Sequence, residues 1–550
     1  MLSNIAKLCA KRRLLYSLIL GGFAGLFLTL GRAWEFGGSL KWMGIGSLLR
    51  IVAYSVLFTA LNYVLLSKIT IREKNTFNKE EIFSRRWFFI FWLGIFLCWI
   101  PVFLAYYPTI WAYDVGDQVP VIRGNVVTNH HPLLHTLYLE TVVRIGSKPG
   151  DYELGMTLLS LTQMLGLSGM FSYGIEYTRR WGSGKWCRAI LFCFFAFLPF
   201  NSILSISMTK DVLFSGCWMV CSLKLYDMID NPEMFFHSKK KLISFAAFLC
   251  IMLSLRSNAV YAFVAAAVLG IFVLQRNWRK QFALLCLAGL FLYGGFQSCL
   301  FHIMKAEKGY SQEAFCIPMQ CLVGTAIRHQ ELIPEYGTGQ LLMEVIPRDW
   351  FTENLESSYD PHLVDPVKMR WWLIGRDEFA PVHLIKVWIS YGMKYPADYL
   401  DIWGTLTLGA WYPFDETHAR IYDNYEPERQ GYLLTDYRNV PEMAMERPAS
   451  KWPGLERIYE KVATENVHQR IPVISLLFAP ATYCWIMFFA LFLALYQRRY
   501  QELLPLGMLF LYWGTVLLGP TVVVRYLYPV MVTMPFILCR LTIRRYQPIE

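Results

Sequence analysis

Twelve long apolar stretches divide this 550-residue chain, and they constrain its fold more than any other feature. A helix that crosses a bilayer needs about 20 mostly apolar residues, because there is no water there to bond its backbone. Stretches of this kind occur near residues 14–31, 43–67, 87–106, 154–175, 188–208, 211–229, 242–256, 259–275, 281–302, 474–496, 502–519 and 522–540. With 55% hydrophobic and only 17% charged residues, the chain falls outside the soluble globular class. We therefore expect an all-α polytopic membrane protein with about 12 transmembrane helices.

Lysine and arginine alternate between successive loops. Basic clusters occur at Lys7–Arg13, Lys68–Arg86, Arg179–Arg188, Lys239–Lys241, Arg276–Lys280, Arg498–Arg499 and Arg540–Arg545. The short loops between these clusters contain few basic residues. Because basic loops stay in the cytoplasm, the alternation predicts a multi-pass protein of the cell membrane with both termini cytoplasmic.

One hydrophilic insert, residues 303–472, is too long for a structureless loop. It holds 17 Lys/Arg and 25 Asp/Glu, a net charge of −8, whereas the rest of the chain has a net charge of +19. This split indicates topology signals and not a basic nucleic-acid-binding face. We expect three parts: a membrane domain (1–302, with a large outer loop at 107–153), a small, mainly helical extracytoplasmic domain (303–472) and a C-terminal membrane part (473–550). A disulfide between Cys316 and Cys321 in the insert is left open.

The outer loop after the third span concentrates unusual polar residues in the sequence YYPTIWAYDVGDQVPVIRGNVVTNHHPLLH, residues 106–135. Acids and imidazoles are costly beside a membrane helix, so they raise a functional-site hypothesis. Asp114 and Asp117 would share one face of a helix and are candidate catalytic residues, one as general base and one orienting a donor or metal. The structural alternative is that they cap a short helix.

Three histidines, His130, His131 and His135, end the same segment. On a helix, the spacing of His131 and His135 would let two imidazoles meet one metal ion, but the Glu of an HExxH motif is absent. Imidazoles can equally bind substrate hydroxyls or a phosphate, or occupy a Pro-led helix start. The sequence leaves these alternatives open.

Charged and polar residues also interrupt apolar sequence at the outer ends of three other spans. They are Lys210 and Asp211 in SMTKDVLFS, Arg256 and Asn258 in SLRSNAVY, and Arg525 and Tyr526 in GPTVVVRYLYP. Since no topology rule requires cations there and Arg suits phosphate or carboxylate, we regard these residues as candidates for binding a substrate, for example a lipid phosphate. The alternatives are a membrane-edge Lys210 capped by Asp211, and an internal ion pair between the arginines and an acid such as Asp211.

Aromatic residues in the insert could stack on sugar rings, chiefly Trp403, Trp411 and Tyr412 in DIWGTLTLGAWYP. Aromatic side chains are also enriched at membrane interfaces, which offers a structural alternative.

In their order along the chain, these motifs resemble the GT-C superfamily of membrane glycosyltransferases. YYPTIWAYDVGDQ with NHHPLLHT, TKDVLFS, LRSN, YGMKYPADYLDIWGTLTLGAWYP and VRYLYP look like a bacterial, mainly Gram-positive branch, over roughly residues 87–540. The resemblance implies a GT-C-like fold and transfer of a sugar from a polyprenyl-phosphate donor to a glycan or glycopolymer acceptor of the cell envelope. It favours Asp114 over Asp117 as the base, and it makes Lys210, Arg256 and Arg525 candidates for the donor phosphate.

The same resemblance implies inversion at the anomeric carbon, because no covalent nucleophile is needed. The acids are spaced DxxD and not in a DxD-type pair, so the use of a divalent cation stays open. Two other classes remain: a transporter or flippase of lipid-linked saccharides, and a phosphotransferase or ligase of polyprenyl-phosphate glycans. Paired repeats would favour the transporter, and none are found in the sequence. The expected partners are the lipid-linked donor, the acceptor and membrane lipids, and not nucleic acid.

Overall fold

The computed structural model describes residues 2–71, 83–111, 115–118, 126–148, 151–309, 314–329, 332, 359–372, 380–418, 428–430, 435–437 and 448–543. Helices dominate these residues, together with one antiparallel pair of short strands, β1 (Glu428–Gln430) and β2 (Thr435–Tyr437). The helices are α1 (Leu2–Gly37), α2 (Ile45–Ile71), α3 (Arg85–Ala105), α4 (Val115–Gln118), α5 (Leu133–Gly146), α6 (Glu153–Tyr177), α7 (Lys185–Phe197), α8 (Pro199–Ser205), α9 (Lys210–Asp230), α10 (Pro232–Phe236), α11 (Lys239–Leu255), α12 (Ala259–Val273), α13 (Arg279–Ile303), α14 (Cys316–Arg328), α15 (Asp365–Trp372), α16 (Pro381–Lys394), α17 (Pro396–Leu406), α18 (Pro453–Thr464), α19 (Pro472–Phe478), α20 (Pro480–Tyr496), α21 (Leu503–Val516) and α22 (Val524–Thr542).

Each predicted span coincides with one of these helices or with a bent pair of them. By length and composition, seven described helices could each cross a membrane, or nine if each bent pair is one span. Helices α11, α12 and α21 have 17, 15 and 14 residues, fewer than the usual length of about 20. The chain thus has the helices of a polytopic membrane protein, whereas the count of twelve spans stays a prediction.

Two predicted spans, 188–208 and 474–496, are not straight. Helices α7 and α8 meet at an angle of 55°, and α19 and α20 meet at 80°. Both α8 and α20 begin with a proline, Pro199 and Pro480, which has no N–H and disfavours helical backbone in the residue before it. The hydropathy of these stretches is continuous, so only the backbone chemistry of proline marks the bend.

Helices α9 and α22 form the centre of the molecule. In their most apolar windows 78% and 83% of the residues are buried, compared with 6% for α2. Asp211 and Arg525 lie 3.9 Å apart at one end of the pair, and Arg540 makes two bonds of 2.7 and 2.8 Å to Asp230 at the other. The two helices therefore run parallel, with charged groups at both ends separated by a helix length of about 30 Å.

The described part of the insert is mainly helical, as predicted, and α14 to α17 contribute to its own hydrophobic cluster. This insert is attached to the C-terminal end of α1. The carboxylate of Asp401 accepts hydrogen bonds from the Trp34 indole and the Leu40 N–H, both 2.8 Å long. Cys316 and Cys321 are both buried on α14 and are not joined in a disulfide. The predicted boundaries of a separate domain stay a prediction.

Candidate functional site

The break between α7 and α8 determines where the chain enters α9. Breaking a membrane helix exposes carbonyls that must find new donors. Asn201 Nδ2 donates to the Phe194 carbonyl at 2.8 Å, and Trp99 Nε1 donates to the Phe195 carbonyl at 3.0 Å. At the other end of α8, Gln163 Nε2 from α6 donates to the carbonyls of residues 204, 205 and 207, at 3.5, 3.0 and 2.8 Å. Side chains thus hold the irregular segment that leads to Lys210.

The loop 106–135 also begins on this segment. The Ile110 N–H donates to the Ile206 carbonyl at 3.0 Å, and the Met208 N–H donates to the Ile110 carbonyl at 2.9 Å. Trp111 and Val115 pack with Met208 in one small hydrophobic cluster. The chain at Ile110 is therefore bonded to the chain at Ile206 and Met208, almost 100 residues later in sequence and just before Lys210.

An ion cluster joins the N-terminal ends of α9 and α22 to the turn between α11 and α12. Asp211, which is fully buried, forms an ion pair with Arg256, and its Oδ2 lies 3.9 Å from Arg525 Nε. Thr209 Oγ1 donates to Asp211 at 3.1 Å and accepts from Arg525 Nη1 at 3.4 Å. Arg256 Nε also donates to Asn258 Oδ1 at 2.9 Å. The internal ion pair raised from the sequence is therefore present, on both arginines.

The aromatic ring of Tyr526 contacts both guanidinium groups. The ring centroid of Tyr526 lies 4.4 Å from Arg256 Cζ and 5.2 Å from Arg525 Cζ. Tyr512 Oη donates to the Tyr526 carbonyl at 2.8 Å. Cation–π contacts of this kind orient a guanidinium without neutralising it. Tyr526, selected from the sequence as a phosphate contact, is thus placed to position both arginines.

His131, near the end of the loop 106–135, contacts Lys210, the residue that precedes Asp211 of the cluster. Its Nδ1 lies 3.3 Å from Lys210 Nζ, and its ring lies 4.5 Å from that of His130. His135 Nδ1 instead contacts Gln118 Oε1 at 3.0 Å and is fully buried. Because α5 begins at Leu133, His131 precedes the helix, and the helical spacing that favoured a shared metal is not formed.

Asp114 lies outside the described residues, as does the side chain of Asp117. The single turn α4 begins at Val115, directly after Asp114. Among the residues that are described, no group of three or more His, Cys, Asp or Glu could hold a metal ion. The catalytic roles of both acids therefore stay predictions.

The insert aromatics serve packing. Trp411 and Tyr412 are 6% and 4% exposed, and the indoles of Trp485 and Trp513 donate to the carbonyls of Trp411 and Ala410 at 2.8 and 3.0 Å. The Trp403 indole donates to the Leu517 carbonyl at 3.0 Å. These contacts fasten the insert to the membrane helices, so the sugar-stacking interpretation is not supported for Trp411 and Tyr412.

Sequence reasoning missed a polar group of the insert that contacts the turn before Arg525. Thr521 Oγ1 donates to the His362 carbonyl at 3.0 Å, and the His362 ring lies 4.9 Å from that of His418. Burial and the neighbouring His418 lower the pKa of His362 to about 3. Burial also opposes the charge on His418, but Asp415, 2.8 Å away, keeps the pKa of His418 above its usual value. Single histidines in a loop give no sequence signal of this arrangement.

One known family matches the chain from the residue after α4 almost to its end. Residues 119–549 match a family of unknown function, DUF6020. The chain belongs to this family. No curated protein and no solved structure matches it. The matched region of this DUF6020 chain includes the histidines, the ion cluster and the insert, and it begins after Asp114 and Asp117.

Proposed function

We propose that this chain is a membrane glycosyltransferase that moves a sugar from a polyprenyl-phosphate donor to a cell-envelope acceptor on the outer face of the membrane. One observation carries the proposal: Asp211 holds Arg256 and Arg525 together where α9 and α22 begin, directly after Lys210 in sequence and next to the segment on which the loop 106–135 begins. A lipid phosphate reaches a protein at the membrane surface, and cations at the end of a central helix pair suit it.

The proposed mechanism is a single displacement. Asp114 takes the proton of an acceptor hydroxyl, whose oxygen forms a bond to the anomeric carbon. The bond from that carbon to the phosphate oxygen breaks, and its electron pair leaves with the polyprenyl phosphate. Arg256 and Arg525 stabilise the charge that develops on the leaving phosphate. Asp211 orients both guanidiniums, and inversion follows from the single step.

Purified protein in lipid nanodiscs tests the proposal with a panel of polyprenyl-phosphate hexoses and pentoses and a cell-envelope glycan. We expect release of polyprenyl phosphate and a labelled glycan. Asp114→Asn should lower the rate by at least about 100-fold, which is the usual loss for a general base. The control is Asp151→Asn, since Asp151 is an exposed acid elsewhere in the outer loop.

Three results would count against parts of the proposal. Full activity of Asp114→Asn would remove Asp114 as the base. Transfer of the sugar together with its phosphate would identify a phosphotransferase. Movement of intact lipid-linked saccharide across the bilayer, with no cleavage for any donor, would identify a transporter.

A further inference from the structure

The short helix α19 lies almost at a right angle to α20, because the chain bends by 80° between them. Helix α20 has 17 residues, almost all of them apolar, which is about the shortest length that crosses a bilayer. If α20 crosses the membrane, α19 must lie nearly parallel to the membrane surface. The residue between them, Ala479, has extended backbone (φ −70°, ψ 116°) and is followed by Pro480, so the bend is built into the chain.

The outward surface of α19 and the residue before it is wholly apolar. Ile471, Val473, Ile474 and Leu477 are 45, 73, 37 and 42% exposed. The helix has one polar side chain, Ser475, which is buried and donates to the carbonyl of residue 472 at 2.8 Å. Exposing four large aliphatic side chains side by side to water would be unfavourable.

The preceding helix, α18, has a different outward surface. Its apolar side packs Leu455, Tyr459 and Val462 against the core. Its exposed side carries Arg457 and Lys461 together with Ile458. The exposed surface therefore changes from one that includes basic side chains on α18 to a purely aliphatic one on α19. That change is expected where a chain passes from the water side of a membrane interface into its hydrocarbon edge.

We propose that α19 is an interfacial anchor, lying flat at the boundary between lipid headgroups and acyl chains with its aliphatic residues in contact with lipid. The bilayer, and not another protein, is the partner, because α19 leads directly into the long apolar helix α20. The middle of α2, where Val52 and Val56 are 60 and 65% exposed, presents a surface of the same apolar character. This inference is independent of the proposed transferase activity.

The anchor has a consequence for the outer loop. The segment before α18 is bonded to the end of α3: Ser450 Oγ donates to the Ala105 carbonyl at 2.6 Å, and the Lys451 N–H donates to the Leu104 carbonyl at 2.9 Å. The ring of Tyr459 lies 6.3 Å from that of Tyr106. Fixing the depth of α19 therefore also fixes the point from which the loop 106–135 departs.

A photoreactive benzophenone amino acid in the full-length protein tests the anchor. The probe replaces Val473 or, separately, Leu477, in nanodiscs of phosphatidylcholine and phosphatidylglycerol, and adducts are weighed by intact-mass spectrometry. We expect at least about tenfold more lipid adduct at either position than for the probe at Lys461, as for any interfacial helix. Val56 on α2 is the lipid-facing reference, and all variants are compared by gel filtration for native folding.

Two outcomes would overturn the inference. Adducts between two copies of the chain at 473 and 477 would identify a protein interface. Adduct levels at 473 and 477 as low as at 461, while the probe at 56 reacts with lipid, would place α19 in water. Because two positions are probed, failure of one variant to fold leaves the other as the test.

Discussion

Arg256 and Asp211 form an ion pair that ties the turn between α11 and α12 to the first turn of α9. Asp211 is fully buried, and a buried carboxylate requires both charge and hydrogen-bond partners. Arg525 and Thr209 complete its surroundings. One acid therefore holds guanidinium groups from two separate parts of the chain, and any role of these arginines in binding phosphate depends on it.

Removing one member of this pair should destabilise the protein. Arg256→Gln leaves the Asp211 carboxylate buried with weaker compensation, so we expect a loss of up to about 3 kcal/mol in the free energy of unfolding. The measurement is the thermal unfolding midpoint in detergent. The matched control is Arg144→Gln. The side chain of Arg144 is 63% exposed and pairs with Glu140 on α5, so its removal should lower the free energy of unfolding by less than about 1 kcal/mol.

The double variant Arg256→Gln with Asp211→Asn separates a structural role from a functional one. Since no unpaired carboxylate remains, the midpoint should recover in part. If Arg256 also binds the donor phosphate, sugar transfer should not recover with it. Recovery of both would show that Arg256 only neutralises Asp211.

Replacing Gly404 should loosen the attachment of the insert to α1. A Cβ at this position would lie 2.6 Å from the Trp34 ring, and Gly31 on α1 is packed in the same way against Tyr412. We expect Gly404→Ala to cost about 1–3 kcal/mol through overpacking, measured as a lower unfolding midpoint and faster proteolysis of the insert. Gly22→Ala on α1, with nothing within 4 Å of the added Cβ, is the control and should be neutral or stabilising. Equal effects of the two substitutions would contradict the packing argument.

Acid should destabilise the protein through His362. Its folded pKa, about 3, lies below the ordinary value of 6.5, so between these values the unfolded chain binds a proton that the folded chain does not. Stability must therefore fall as the pH is lowered from about 6.5 towards 3, by at most about 1.4 kcal/mol per pH unit. His418, whose pKa is raised, contributes little slope in this window, because both the folded and the unfolded chain carry its proton below the ordinary pKa of 6.5.

The measurement for His362 is the unfolding midpoint of wild type and His362→Gln at several values between about pH 6 and pH 4. The variant should show a shallower decline, because glutamine cannot titrate. His302→Gln, at an exposed position on α13, is the control for replacing a histidine by glutamine. A decline of the same slope in wild type and His362→Gln would assign the acid sensitivity to other groups.

Most of the helical architecture could be predicted from the residues alone. Hydropathy is a local property, and each predicted span lies on a helix because twenty apolar residues in lipid have no other way to bond their backbone. The bends before α8 and α20 could also be predicted from Pro199 and Pro480, although hydropathy alone does not indicate them. The candidate residues Lys210, Asp211, Arg256 and Arg525 were selected because charge is expensive in apolar sequence, and the structure brings the last three of them together.

Pairings were decided only by the tertiary structure. The sequence by itself determined that Arg256 and Arg525 needed compensation, but not that a single carboxylate, Asp211, contacts both. It also left open whether Trp411 and Tyr412 face a sugar or the protein, because an aromatic side chain satisfies either environment equally well. Such choices depend on which distant helices pack together. Composition and periodicity describe one segment at a time, whereas a buried charge or ring is defined by neighbours that come from elsewhere in the chain.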